Sequence, residues 1–289
     1  MTHLIVNADD FGLTAAINRA VEELHAAGVV TSATLMARGA AAEAAIEIAR
    51  ANPSLGVGCH VVLVDGAPAL SPRQLPTLIN PQTARFPVTP SAFLALLFAG
   101  RIRPAEIESE AAAQIALLQN CGLRLTHIDS HKHLHLFPHV LRPLLRAARA
   151  AGIRAVRNPF EPAWSRRDTP HAPWLRRTRF SLLQRFEPAF RRIVAEEGFV
   201  TTDGSIGVLA TGNLDSATLA SLLGNLPAGS WELVTHPGYN DADLALAHTR
   251  LRASREIERQ ALLTLRQAVG LQLTSFAGLQ PPSAPKQRP

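Results

Sequence analysis

The sequence predicts an α/β fold of mainly parallel strands, closed in the manner of a barrel. Three observations point there. Short apolar runs alternate with helical periods from residue 3 to residue 269. The number of units and their single rhythm favour closure over an open sheet. Ionisable residues gather at the C-terminal ends of the apolar runs, where parallel α/β folds place functional groups.

The elements follow in order. "HLIVNA" (3–8) is a buried strand, and "TAAINRAVEELHAAG" (14–28) a helix with Ile17, Val21 and Leu24 on one face and Gly28 as its stop. "VVTSATLM" (29–36) is a second strand, "AAAEAAIEIARANP" (40–53) a second helix, and "LGVGCHVVLV" (55–64) a third strand. A proline-rich stretch, 68–90, shows no period and reads as one long functional loop, open to a role as a lid. Then come helix 104–120, strand 124–131, helix 138–151 and strand 153–159. An Arg-rich insertion around 160–204 is followed by strand 205–210, a helix near 214–224, strand 231–238 and helix 249–269. Residues 1–279 are expected to form one barrel domain, and the proline-rich 280–289 a disordered tail.

Composition narrows the setting. With 289 residues, 47% of them hydrophobic, the chain can bury a sizeable core. No stretch approaches the about 20 uncharged apolar residues that span a bilayer. The N-terminus enters the first strand with no basic n-region or cleavage site, and Cys59 and Cys121 make no CxxC pair. These features predict a cytoplasmic protein with reduced thiols. The formal charge is +6, and arginines crowd residues 142–192. Aromatics are only 5% and do not interleave with the basic residues, so no nucleic-acid partner is expected. A basic membrane- or nucleic-acid-binding module without catalysis is the alternative outside enzymes. Segment 174–194 mixes Trp174, Phe180, Leu183, Phe186, Phe190 and Ile193 with arginines. It suits either a helix packed on the barrel or a stretch lying peripherally on the inner face of a membrane. A homodimer is allowed.

Chemistry-bearing residues sit at the predicted strand ends. Asp9 and Asp10 follow the first strand, His60 lies within or at the end of the third, and His236 ends a late strand, in "VTHPG". His127, Asp129 and His131 alternate along one face of the fourth. The stretch 126–139 adds His133, His135 and His139. Carboxylate and imidazole donors at a strand mouth suit a divalent cation, with further histidines orienting ligands or lining a groove. Each residue also has a plainer reading: Asp10 in a turn, His60 in the core, His133 and His135 in an exposed loop. "DFG" also occurs in kinases, but no Gly-rich loop or HRD stretch accompanies it. A metal-dependent phosphoester hydrolase would use similar clusters.

"IVNADDFG", "AINRAVEELHAAGVVTSATLMARG", "PSLGVGCHVVL", "THIDSHKHLHLFP" and "ELVTHPGY" resemble, in order, the YdjC family of carbohydrate deacetylases. The hopanoid biosynthesis-associated branch is the most similar, with chitooligosaccharide (diacetylchitobiose-type) deacetylases as the alternative. The resemblance implies a distorted, incomplete (β/α) barrel like the polysaccharide deacetylases. It also implies hydrolysis of the acetamide of an N-acetylglucosamine-type sugar, on a hopanoid glycolipid in that branch. Carried over, Asp10, His60 and His131 become ligands of one divalent cation, magnesium or zinc. Asp9 becomes the general base and His236 the acid. His127 and Asp129 would support the ligands or tune His236, and His133 and His135 would support the site or bind substrate. Arg157 would meet substrate hydroxyls, unless it is a surface arginine. Arg255 resembles a family feature with Glu258, unless the two form a salt bridge along their helix.

Overall fold

The first apolar run becomes the central strand of the sheet. In the computed structural model, which describes residues 2–169, 172–247, 249–267 and 272–279, β1 (Thr2–Phe11) is buried almost throughout. Its upper half pairs with β2 (Ser32–Leu35) and its lower half with β7 (Gln272–Thr274). On its other side lies β6 (Gly229–Thr235). With β3 (Gly56–Val61), β4 (Ile128–Ser130) and β5 (Gly204–Ile206), the order is β4-β3-β2-β1-β6-β5, and every pairing is parallel. The expected parallel α/β half-barrel is therefore observed.

The wall between β4 and β5 is where the barrel is incomplete. The strand expected at 153–159 is reduced to single bridges, Ile128 to Val156 and Ala155 to Val200. Local bonds explain why. Asn158 donates from its amide to the Thr202 carbonyl and accepts from the Phe160 N–H, while Pro159 has no N–H to give a ladder.

The helices are α1 (Ala15–Ala26), α2 (Ala42–Ala51), α3 (Pro90–Phe98), α4 (Pro104–Asn120), α5 (Pro138–Ala150) and α6 (Ala163–Arg167). They continue with α7 (Trp174–Leu183), α8 (Glu187–Glu196), α9 (Ser216–Gly224), α10 (Ala242–Leu246) and α11 (Arg252–Leu263). In α1, Thr14 caps the first turn by accepting the Ile17 N–H, and Ile17, Val21 and Leu24 are buried. Proline opens α3, α4 and α5, where its missing N–H costs nothing. Neither α3 nor β7 was expected. The first is apolar all round and buries only Phe93 and Leu97, and the second is three residues long, so neither carries a clear period. The expected end of the last helix at 269, and the tail 280–289, lie outside the described residues.

The stretch 68–90 is staked to α4. Gln114 accepts the Val62 N–H at 2.9 Å, Glu110 accepts those of Ala69 and Leu70 at 2.7 and 3.0 Å, and Glu106 accepts that of Thr77 at 2.8 Å. Spacing of four residues puts these three side chains on one face of the helix. Through these bonds Ala69, Leu70 and Thr77 join α4 in one wall beside the sheet.

Segment 174–194 divides. In α8, Phe190, Ile193 and Val194 are buried against the barrel. No residue of α7 is buried, and Trp174 (75% exposed), Leu175 and Leu182 face outward. Among the described residues, no helix is long and apolar enough to cross a membrane.

Candidate metal and acid–base site at the strand ends

The site begins with a backbone irregularity. In a regular strand, Asp9 and Asp10 would point to opposite faces. The pairing of β1 with β2 shifts register between Ala8 and Phe11, and Asp10 adopts a left-handed φ of 63°. Aspartate tolerates that region better than most residues, though at a cost of about 1–3 kcal/mol. The result is that both carboxylates reach the same cluster around His60.

Asp10, His60 and His131 are brought together, their ligand atoms all within 4.8 Å of one another. Asp10 Oδ1 lies 3.2 Å from His131 Nδ1 and 3.6 Å from His60 Nε2. His60 Nε2 and His131 Nδ1 face each other at 3.3 Å. Asp129 Oδ1 sits 2.8 Å from His60 Nδ1, where it accepts that N–H and turns Nε2 toward the cluster. The donor set, one carboxylate and two imidazoles, fits a divalent cation. Electrostatics agree. Among the described residues, four carboxylates (Asp9, Asp10, Asp129 and Glu232) gather around two guanidiniums, Arg157 and Arg255, and a fifth, Glu258, lies beside His236. A cation reduces that excess. His60 shows the same pull: burial pushes its pKa down, but Asp129, Asp9 and Asp10 raise it to about 9.

Asp9, His60 and Asp129 also cluster, but that set contains Arg157. Arg157 is fully buried, neither a surface arginine nor free for substrate, because its guanidinium is occupied by carboxylates. It holds Asp9 with two hydrogen bonds, Nη1 to Oδ2 at 2.8 Å and Nη2 to Oδ1 at 2.6 Å. It also pairs with Asp129 and donates from Nε to Glu232 at 2.7 Å. Asn7 and Thr34 donate to Asp9 Oδ1 at 2.9 and 3.1 Å. Burial would raise the Asp9 pKa, but Arg157, His60 and His236 hold it far below the usual carboxylate range. Asp10 is likewise held low, with Arg255 and His131 outweighing burial.

His236 directly follows β6, with Nε2 3.8 Å from Asp9 Oδ2, so these two groups face one point. Its Nδ1 lies 3.9 Å from Glu258, which also accepts the His236 N–H at 2.7 Å and the Gly212 N–H at 3.2 Å. Arg255 and Glu258 therefore do not spend themselves on each other: Arg255 pairs with Asp10, and Glu258 supports His236. The partner that faces His236 is Glu258, whereas Asp129 serves His60 and Arg157.

His127 lies deeper in the barrel. It stacks on Phe276 with ring centroids 3.8 Å apart, and its Nδ1 is 2.9 Å from the Thr126 hydroxyl. Gly58 is the close-approach position beside it, where a Cβ would stand 2.4 Å from the His127 ring. His135 is fully buried, with Nδ1 2.8 Å from Ser130 Oγ, and is no exposed loop residue. His133 is partly buried, has a left-handed φ of 55°, and has a buried Nδ1 without a partner. Burial and Arg157 lower its pKa to about 3, so the ring is neutral.

Glu232 was missed from sequence. A charged residue inside the apolar run "WELV", four before His236 and so on the same strand face, is the signal that could have found it.

Fold and site define a parallel α/β half-barrel protein with a carboxylate–imidazole cluster able to hold a divalent cation at its strand ends. Family comparison gives the same class a narrower identity: the description of YdjC-like proteins matches residues 3–268, and the chain belongs to that family. A carbohydrate deacetylase of Thermoanaerobacter pseudethanolicus is 27% identical over 265 residues, 91% of each chain. A carbohydrate deacetylase of Brevibacillus brevis is 41% identical over 145 residues; the match spans 50% of this chain and only 55% of that protein. The crystal structure of an Enterococcus faecalis V583 protein, a candidate for cellobiose-phosphate cleavage, superposes with a TM-score of 0.75 at 24% identity. That match covers 95% of this chain and 97% of the other, and shows the shared fold.

Proposed function

We propose that the chain is a metal-dependent carbohydrate N-deacetylase, hydrolysing the acetamide of an N-acetylglucosamine-type sugar to the free amine and acetate. The observation that carries this is the meeting of Asp9 and His236 beside the Asp10–His60–His131 cluster. The deacetylase relatives supply the substrate class. A divalent cation held by Asp10, His60 and His131 would supply Lewis acidity, polarising the acetyl carbonyl and making water a better nucleophile. Two imidazoles favour zinc or another transition ion over magnesium.

Asp9, ionised and held by Arg157, takes the proton from the attacking water. His236 gives a proton to the sugar nitrogen as the C–N bond breaks, so the amine leaves neutral. Asp129 keeps His60 in one tautomer, and Glu258 orients His236. His133, a neutral and partly exposed ring within electrostatic reach of Asp9 and His236, is the group we assign to a sugar hydroxyl.

For the substrate, we propose a hopanoid-linked sugar met at the inner membrane face, within a cytoplasmic protein whose residues 1–279 act as one domain. The outward Trp174, Leu175 and Leu182 of α7, flanked by the exposed Arg179 and Arg185, support this reading. The test is amine release by metal-reconstituted protein from acetylglucosaminyl lipid and from diacetylchitobiose. Faster release from chitobiose would transfer the assignment to the chitooligosaccharide. Asp9→Asn is expected to abolish release with metal retained, and His131→Ala to lose the metal. Normal release by Asp9→Asn would remove Asp9 as the base.

A further inference from the structure

We propose that Glu232 is a positioning residue that sets the basicity of Asp9 through Arg157. The inference rests on the reading of Asp9 as the base, and goes beyond it.

The geometry is a relay of one guanidinium between two carboxylates. Arg157 is fully buried and presents its two terminal nitrogens to the two oxygens of Asp9, at 2.6 and 2.8 Å. Because a guanidinium is planar, a partner on Nε fixes the direction in which its two terminal nitrogens point. Glu232 fixes it, accepting from Nε at 2.7 Å. Glu232 comes from β6, Asp9 from β1 and Asp129 from β4, so Arg157 stands between opposite walls of the half-barrel.

Charge as well as direction passes through that fork. The titratable and charged groups facing Glu232 are Arg157, Asp9 and Asp129; Ser205 of β5 adds a hydroxyl 3.3 Å from Oε2. An ionised Glu232 shares the positive charge of Arg157 and leaves Asp9 more basic. A protonated Glu232 lets Arg157 act fully on Asp9 and makes it a poorer base. Burial raises the Glu232 pKa to about 7, with Arg157 opposing. The switch between the two states therefore falls near neutrality, and deacetylation should rise with pH there.

Glu232→Gln keeps the shape and an acceptor for Arg157 Nε but removes the charge. We expect kcat to fall about ten- to hundredfold, as for other outer supports of a site, with KM and bound metal unchanged. The rise of kcat between pH 6 and 8 should vanish, leaving a low, flat profile. Glu232→Asp, which keeps the charge, should retain the rise. A purely structural role would lower the melting temperature of Glu232→Gln without altering the profile, and that result would overturn the proposal. So would a flat profile in the unmodified protein. Asp9→Asn, run in parallel, separates the two ideas. If it is inactive while Glu232→Gln matches wild type, the base stands and the relay falls. If Asp9→Asn is active, the base itself falls.

Discussion

Replacing Arg157 by methionine tests the electrostatics of the barrel interior directly. Arg157 is 0% exposed and bonds to Asp9 at 2.6 and 2.8 Å and to Glu232 at 2.7 Å, with Asp129 as a further partner. Methionine is apolar and replaces only the aliphatic stem of the arginine, so the change removes the guanidinium and strands three buried carboxylates. Removing one partner of a buried pair costs about 3–5 kcal/mol. That is a large share of the about 5–15 kcal/mol that holds a typical protein folded. The stranded groups respond by binding protons. In the wild type, the depressed pKa of Asp9 contributes stability above the unfolded carboxylate value, lost as pH falls through the folded one. In Arg157→Met the sign reverses. Folded pKa values rise above unfolded ones, the folded state binds more protons, and stability falls as pH rises. The slope is about 1.4 kcal/mol per pH unit for each extra proton held. Urea unfolding with chelator present, from pH 5 to 8, reads this out. The gap between wild type and variant should be smallest at pH 5 and widest at pH 8. A gap under about 1 kcal/mol, constant with pH, would refute the account of an ionised buried cluster.

Further outcomes follow from other contacts. Glu110→Ala strands the half-buried N–H groups of Ala69 and Leu70, so it should cost about 1–3 kcal/mol in all and open residues 66–90 to limited proteolysis. An unchanged digestion pattern would show that α4 does not hold the wall. Gly58→Ala puts a methyl group against a His127 ring that Phe276 blocks from behind. Thermal unfolding should register a loss of about 1–3 kcal/mol, and a neutral result would mean the ring can retreat. Trp174→Ser with Leu182→Ser should leave stability within about 0.5 kcal/mol while weakening sedimentation with anionic vesicles. Equal sedimentation would remove α7 as the contact.

Most of the architecture was legible because the strands are short apolar runs and the helices carry strong periods. Ile17, Val21 and Leu24 mark α1 without help from tertiary structure. The failures have physical reasons. Arg157 looks like any arginine near a strand end until three carboxylates from distant parts of the chain surround it. Glu232 and Glu258 act across gaps of 75 and 22 residues, to Arg157 and His236, and no local pattern reports such distances. Positions of the metal-type donors could be read because parallel strands end on one rim. Their supports could not, because those run sideways across the barrel.

The kink at Asp10 has a mechanical consequence. Because two adjacent residues serve the site together, their spacing is a covalent constant: neighbouring Cα atoms stay about 3.8 Å apart whatever the sheet does. His60, His131 and His236 ride on separate strand ends, and any breathing of the unclosed wall moves them independently. Asp9 and Asp10 travel as one piece. The two carboxylates, proton acceptor and metal ligand in the function we propose, thus share a single covalent mount, and the imidazoles must find their places relative to it.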